Sequence, residues 1–190
     1  SFSALGSAER LAIGAPRRDE NHYPYEASIL AVALLRHATA TGDEAARARA
    51  RVILARTLRE FEKDGEVRRT SSRAVRFLPD AAALCRAAAM LGAIEHDPEL
   101  VAAAARIAER MLSDFRDDGG RLLQNTPDPD AIGVLAAPRI TLAANALAAR
   151  ALAQLAEATG QDHYRQRGRE LLAGISTHAR LDDEGRMVGG

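Results

Sequence analysis
The chain has 190 residues, with 26 Lys+Arg balanced by 26 Asp+Glu, 41 alanines, one cysteine and no tryptophan. That length fits one domain with a buried core, and the zero net charge argues against a general nucleic-acid binder, which needs a basic excess to displace counterions. One cysteine excludes an intrachain disulfide framework, and no apolar run reaches the roughly 18 residues of a membrane span.

Alanine is the best helix former, and strand-forming runs are few, so an all-α fold is expected. Residues 1–24 read as an irregular N-terminal segment, with Gly14, Pro16 and a charged run from Arg17 to Glu20; a short helix is expected near residues 7–13. Residues 25–190 read as one helical-hairpin repeat domain. Residues 26–40 are apolar on nearly every face, which predicts a helix buried on most sides. Thr41-Gly42-Asp43 supplies a glycine C-cap and then an aspartate N-cap. The next helix carries a one-sided stripe, Ala46, Ala50, Ile53, Leu54, Thr57, Leu58 and Phe61, and ends at Asp64-Gly65.

The unit then recurs. Residues 80–94 are almost wholly apolar, with Arg86 the one interior charge. Pro98 opens a second, striped helix (Val101, Ala104, Ala108, Met111, Leu112, Phe115) that ends at Asp118-Gly119-Gly120. A third pair follows over residues 140–158 and from Tyr164 to Ile175, joined at Thr159-Gly160-Gln161-Asp162 and closing near Asp183-Glu184-Gly185. Hairpins at about 26–62, 80–115 and 140–176 predict a stacked repeat. Apolar first helices and one-sided second helices predict two layers, first helices inside: an α/α toroid or an open segment of one, made of three antiparallel helical hairpins. Small β-hairpins are expected in the connections 66–77 and 120–139.

In such an array any pocket lies where the connections enter the inner helices. When the units are aligned on their turns, Glu26, Asp80 and Ala144 or Asn145 fall at matching places. Paired carboxylates do general acid/base work, so Glu26 and Asp80 are the catalytic candidates. Negative charge in a first helical turn is equally well explained by the helix dipole. His22, Tyr23, Arg76, Arg139 and Asn145 are the ligand-binding candidates, and Arg68, Arg69, Arg73 and Arg76 form a local basic cluster. No metal or cofactor is expected: the histidines lack ligand spacing, residues 125–130 lack the glycine and terminal Glu of a calcium loop, and no glycine-rich phosphate loop, GxSxG or CxxC occurs. Cys85, mid-way along an apolar helix, is expected to be buried and inert.

The order of features over residues 26–176 resembles the C-terminal, six-hairpin-glycosidase-like helical toroid of thioredoxin-domain-containing, spermatogenesis-associated-type proteins. The resembling stretches are Gly65-Glu66-Val67-Arg68-Arg69, Phe77-Leu78-Pro79-Asp80-Ala81-Ala82, Phe115-Arg116-Asp117-Asp118-Gly119-Gly120 and Ala143-Ala144-Asn145-Ala146-Leu147-Ala148-Ala149. Ala81 stands where that family has Tyr, and Ala143-Ala144 where it has Ser-Gly, so small polar and aromatic pocket groups are replaced by methyls. The resemblance implies a non-catalytic toroid domain with an interaction or scaffolding role, part of a larger thioredoxin-linked protein; separately, the lone cysteine is compatible with a reducing compartment, and a cytoplasmic location is expected unless an upstream leader was removed. Three hairpins leave an open apolar end, for which a second copy or a further domain is the expected cover. The alternative is a carbohydrate-active enzyme, glycosidase- or sugar-epimerase-like, using the acids at the inner-helix mouths.

Overall fold
The computed structural model describes residues 8–9, 22–70, 75–128, 130–133, 139–176, 179–181 and 187–189. Residues 8–9 are helical; the rest of the expected helix near residues 7–13, the charged run 17–20, Arg73, His178 and the closing turn 183–185 lie outside the described residues. Six helices form three consecutive pairs: α1 (Pro24–Thr41) with α2 (Glu44–Phe61), α3 (Leu78–Glu95) with α4 (Pro98–Asp114), and α5 (Leu142–Thr159) with α6 (Asp162–Ser176).

The turn chemistry explains the pairing. Gly42 and Gly160 take left-handed φ values of 74° and 71° and return their N–H groups to Ala38 and Ala156. In the second unit His96 fills the same role at φ 55°. Asp43 then accepts from the Ala46 N–H, and Asp97 from those of Glu99 and Leu100, satisfying amides that the first helical turn leaves open. Each turn is too short to do anything but reverse the chain.

The all-α architecture expected from the sequence is present: three antiparallel hairpins in two layers. Inner helix α3 lies between α1 and α5, and each outer helix packs on its own inner partner. Alanine permits the close approach. Ala82, Ala87, Ala88, Ala89, Ala104, Ala108, Ala148 and Ala151 are fully buried between larger Leu35, Leu54, Leu84, Leu91, Ile107 and Leu152. A Cβ at Gly92 would stand 2.8 Å from Val101, so α3 and α4 nearly touch there. Cys85 is fully buried, its thiol donating to the Ala104 carbonyl at 3.4 Å, and burial pushes its pKa up to about 12.

Only α3 is covered on almost all sides. The expectation that every inner helix is buried all round is corrected for α1, which exposes Glu26, Ile29, Leu30, Ala33, Arg36, His37 and Ala40. The cause is position in the array: α3 has an inner neighbour on each side, α1 only one. Ile29, Leu30 and Leu142 are among the exposed large apolar side chains. No helix among the described residues is long and apolar enough to cross a membrane.

Two connections carry short pairings. β1 (Glu62–Lys63) and β2 (Glu66–Val67) form a hairpin across Asp64 and Gly65, both with positive φ, as a two-residue hairpin turn requires. After α4 the chain doubles back on itself, Leu123 N–H donating to Phe115 and Asp117 N–H to Arg121. It then pairs with the segment entering α3, through Leu78 N–H to Gln124 and Thr126 N–H to Arg76. A further antiparallel pair, β3 (Ala179–Leu181) with β4 (Met187–Gly189), follows α6.

Candidate functional site
The connections after the outer helices and the first turns of the inner helices lie at one end of the array, because each outer helix runs antiparallel to its inner partner. The titratable groups there fall into two sets. The first is centred on Asp80, in the first turn of α3 and fully buried. Its carboxylate does not cap the helix. It accepts two parallel hydrogen bonds from Arg69, at 2.9 and 3.0 Å, in the fork geometry that makes Arg–carboxylate pairs strong. The Arg69 guanidinium lies 4.4 Å above the Phe77 ring and is 37% exposed, so it is the outward face of the pair.

Burial pushes the Asp80 carboxyl above the ordinary aspartate range; the bonds from Arg69 pull it back, and the charge of Glu26 adds to the rise. Arg69 is held above the usual arginine range, chiefly by its bonds to Asp80, with Glu26 and Tyr23 adding to the effect. Glu26, exposed on the first turn of α1, and half-buried Tyr23 just before it therefore share one electrostatic neighbourhood with Arg69 and Asp80.

The second set faces the outer layer. Glu66 holds Arg68 at 2.9 Å, Arg110 at 2.8 Å and Arg76 at 3.3 Å, and Arg76 also bonds Asp114. The Arg68 bond is the main reason the Glu66 carboxyl sits below the usual range. Arg76 is thus committed to a network between the first β-hairpin and α4. His22 turns toward α2: its ring lies 5.5 Å from that of Phe61, and its Nε2 is 3.2 Å from Thr57 Oγ1. The Thr57 hydroxyl already donates to Ile53, so His22 is the donor in that contact. Asn145 is fully buried. Its amide pairs with both the N–H and the carbonyl of Leu122, at 2.9 and 2.7 Å, and donates to the Thr141 carbonyl. It pins the connection after α4 to the start of α5. Arg139 is exposed, and its carbonyl accepts from the Gln124 N–H.

Of the residues singled out in the sequence, Glu26 and Asp80 lie at the same level of adjacent inner helices, and the charges of Glu26 and Tyr23 act on Arg69; His22, Arg76, Arg139 and Asn145 have other surroundings. Arg69 is the group bonded to Asp80. Nothing local marks it out from Arg68, Arg73 and Arg76, because its partner lies eleven residues on. No group of three or more His, Cys, Asp or Glu placed to hold a metal ion occurs among the described residues.

No protein-family model matches the chain, and no curated protein matches its sequence. Solved structures do resemble its fold. An inactive variant of the α-1,6-mannanase of glycoside hydrolase family 76 from Salegentibacter sp. HEL1_6, in complex with α-1,6-mannotetrose, superposes with a TM-score of 0.74 at 18% identity, over 87% of this chain and 50% of that one. A D-mannose isomerase gives 0.72 at 14% identity, over 93% and 50%. The cellobiose 2-epimerase of Spirochaeta thermophila DSM 6192 gives 0.72 at 14% identity, over 88% and 48%. The chain spans about half the length of these proteins. What they bear out of the family resemblance is the glycosidase-like α/α toroid. The expectation of a non-catalytic interaction or scaffolding domain is corrected: the likeness is to toroids of sugar enzymes, which favours the carbohydrate-active alternative.

Proposed function
We propose that this chain is part of a carbohydrate-active enzyme, and that its mouth performs proton transfer on a sugar of the kind isomerases and epimerases carry out. The observation that carries the reading is that Glu26 and Asp80 open adjacent inner helices at the same level, Asp80 buried and holding the Arg69 guanidinium, and Glu26 exposed with its charge acting on both. The likeness in fold to a mannose isomerase, a cellobiose epimerase and mannanases supports the same class.

The choice within that class rests on Asp80. Two-carboxylate glycoside hydrolysis needs both acids to reach the scissile bond. Asp80 is fully buried and both its oxygens are bonded to Arg69, so it acts as a positioning residue. One accessible carboxylate and one oriented cation suit a different reaction. Glu26 takes the proton from the carbon next to a sugar carbonyl, Arg69 hydrogen-bonds the oxygen on which negative charge develops, and Glu26 returns the proton on the same face to the neighbouring former carbonyl carbon while the hydroxyl proton passes to the former carbonyl oxygen. No atom is lost or gained overall. The narrower likeness to thioredoxin-linked toroids rests on motif residues alone and adds nothing to this chemistry.

The test is deuterium exchange. Incubated in heavy water with mannose and with cellobiose, the protein should exchange the hydrogen next to the sugar carbonyl, read by proton NMR. Glu26→Gln should slow that exchange by about 10²–10⁴-fold with the helical circular dichroism unchanged. Exchange that is absent in the parent protein, or equal in Glu26→Gln, refutes the proposal. Release of mannose from α-1,6-mannotriose without exchange would move the assignment to hydrolysis.

A further inference from the structure
Deeper along the inner helices lies a second set of charges that the mouth does not use. Helix α3 is covered by α1 and α5 at its sides and by α4 behind. The residues of α3 that stay partly exposed include Pro79, Arg86 and Met90, a row along the face turned away from the outer layer. Arg86 is eight residues beyond the start of α3 at Leu78, and Arg150 eight beyond the start of α5 at Leu142, so the two stand at the same level of adjacent helices. Arg36 lies twelve beyond the start of α1, about one turn further down. Their mutual proximity is felt at Arg86: burial holds its pKa below the arginine range, and the charges of Arg150 and Arg36 press the same way.

None of the three makes an ion pair or a side-chain hydrogen bond among the described residues. What sets the three apart is their placement on adjacent inner helices, close enough for the charges of Arg36 and Arg150 to act on Arg86. Several arginines on the outer helices and connections are paired with carboxylates, such as Arg51 with Glu95, Arg56 with Glu60, Arg110 with Glu66 and Arg121 with Asp117, although Arg49, Arg59, Arg116, Arg139 and Arg169 make no such pair among the described residues. On the inner face, Glu157 of α5 accepts instead from Gln154. Like charges on adjacent inner helices repel one another, and Arg86 is the one interior charge of an otherwise apolar helix. Together they present guanidinium groups that no carboxylate among the described residues occupies and that an anion would bring into favourable balance.

We infer that Arg36, Arg86 and Arg150 form the anion-binding floor of the concave face, holding the phosphate or carboxylate of an anionic sugar. This rests on the carbohydrate reading above and names its substrate class. Guanidinium groups bind both anions through paired hydrogen bonds. The six residues from Asp80 to Arg86 place the floor about 9 Å below the mouth, at 1.5 Å of helix per residue. A substrate with its carbonyl end at Glu26 and Arg69 would reach inward with its charged group.

The experiment is calorimetric titration of the protein with mannose 6-phosphate, glucuronate, mannose and inorganic phosphate. The parent protein should bind the two anionic sugars more tightly than either mannose or inorganic phosphate, and the tighter of the two identifies the anion. Arg86→Met should weaken that binding about tenfold or more, and Arg86→Lys less, while neither lowers the melting temperature. Equal binding of mannose and its phosphate, unchanged in Arg86→Met, overturns the arginine floor and leaves the sugar reading standing. Inorganic phosphate binding as tightly as the sugar phosphate, and lost in Arg86→Met, overturns the sugar ligand. Absence of binding by all four overturns the proposal outright.

Discussion

Replacing Arg69 with Ala should destabilise the protein much more than replacing its partner Asp80 with Asn. The Asp80 side chain is fully buried and that of Arg69 is 37% exposed. Arg69→Ala leaves a buried carboxylate without a partner, and breaking a buried pair in this way costs about 3–5 kcal/mol. Partial exposure of Arg69 lets water reach the gap, so about 2–3 kcal/mol is expected, or a melting temperature lower by about 5–10 °C. Asp80→Asn keeps the shape and one acceptor and leaves a cation already near water, so about 1 kcal/mol is expected. The pH dependence has a definite sign. Burial raises the Asp80 pKa in the folded state, so between the unfolded value of 3.8 and the raised one the native state binds more protons, and stability falls as pH rises. Removing Arg69 takes away the influence that pulls the pKa back. The Arg69→Ala deficit is therefore largest near neutral pH and shrinks toward the ordinary aspartate range, where the buried carboxyl is neutral. Urea unfolding followed by circular dichroism at a series of pH values measures this. A loss within about 0.5 kcal/mol at neutral pH, or a deficit independent of pH, would refute the reasoning.

Three further changes test the frame around the mouth. Ser28 Oγ is the one buried side-chain polar atom without a hydrogen-bond partner among the described residues, so Ser28→Ala should raise stability by about 1 kcal/mol in thermal unfolding. Gly65 combines φ 84° with an Arg106 carbonyl only 2.6 Å from where a Cβ would stand; Gly65→Ala should cost about 2–5 kcal/mol in denaturant titration. Asn145→Ala leaves the Leu122 N–H and carbonyl without their amide partner, costing about 3 kcal/mol and speeding amide exchange at Leu122.

The helices were legible because their signals are local. Gly42, Gly160, Asp43 and Asp97 mark where helices stop and start, and the first and second inner helices begin 54 residues apart, at Pro24 and Leu78. His96 in the left-handed C-cap position was not legible, since its short polar segment reads as a restart rather than as a stand-in for glycine. Burial was legible only for α3. Composition alone makes α1 look equally enclosed, and the difference comes from its place in the array. At the mouth, Glu26 and Asp80 stood out as charges on apolar helices. The choice of Arg69 over three neighbouring arginines, and the hydrogen bonding of Asn145 to Leu122, depend on how connections distant in sequence fold back on one another. Periodicity carries no information about that.

The alanine content that first signals helices also constrains the chemistry. A wall of methyl groups lets three inner helices pack closely, but it offers a ligand neither hydrogen bonds nor stacking surfaces. Polar function must then come from the helix mouths or from side chains long enough to stand off the wall. Arginine meets the second need, because its stem covers apolar surface while its charged head projects. The zero net charge of the chain hides this local excess: several outer arginines pair with neighbouring carboxylates, whereas Arg36, Arg86 and Arg150, gathered on adjacent inner helices, make no ion pair among the described residues. Uncompensated charge on a concave face concentrates field lines and draws anions inward. Association of an anionic sugar should therefore slow as salt is raised, while association of a neutral sugar should not, because screening acts on the long-range attraction before any contact forms. Stopped-flow association rates at several ionic strengths would separate the two, and equal salt dependence for both sugars would place the recognition at the mouth alone.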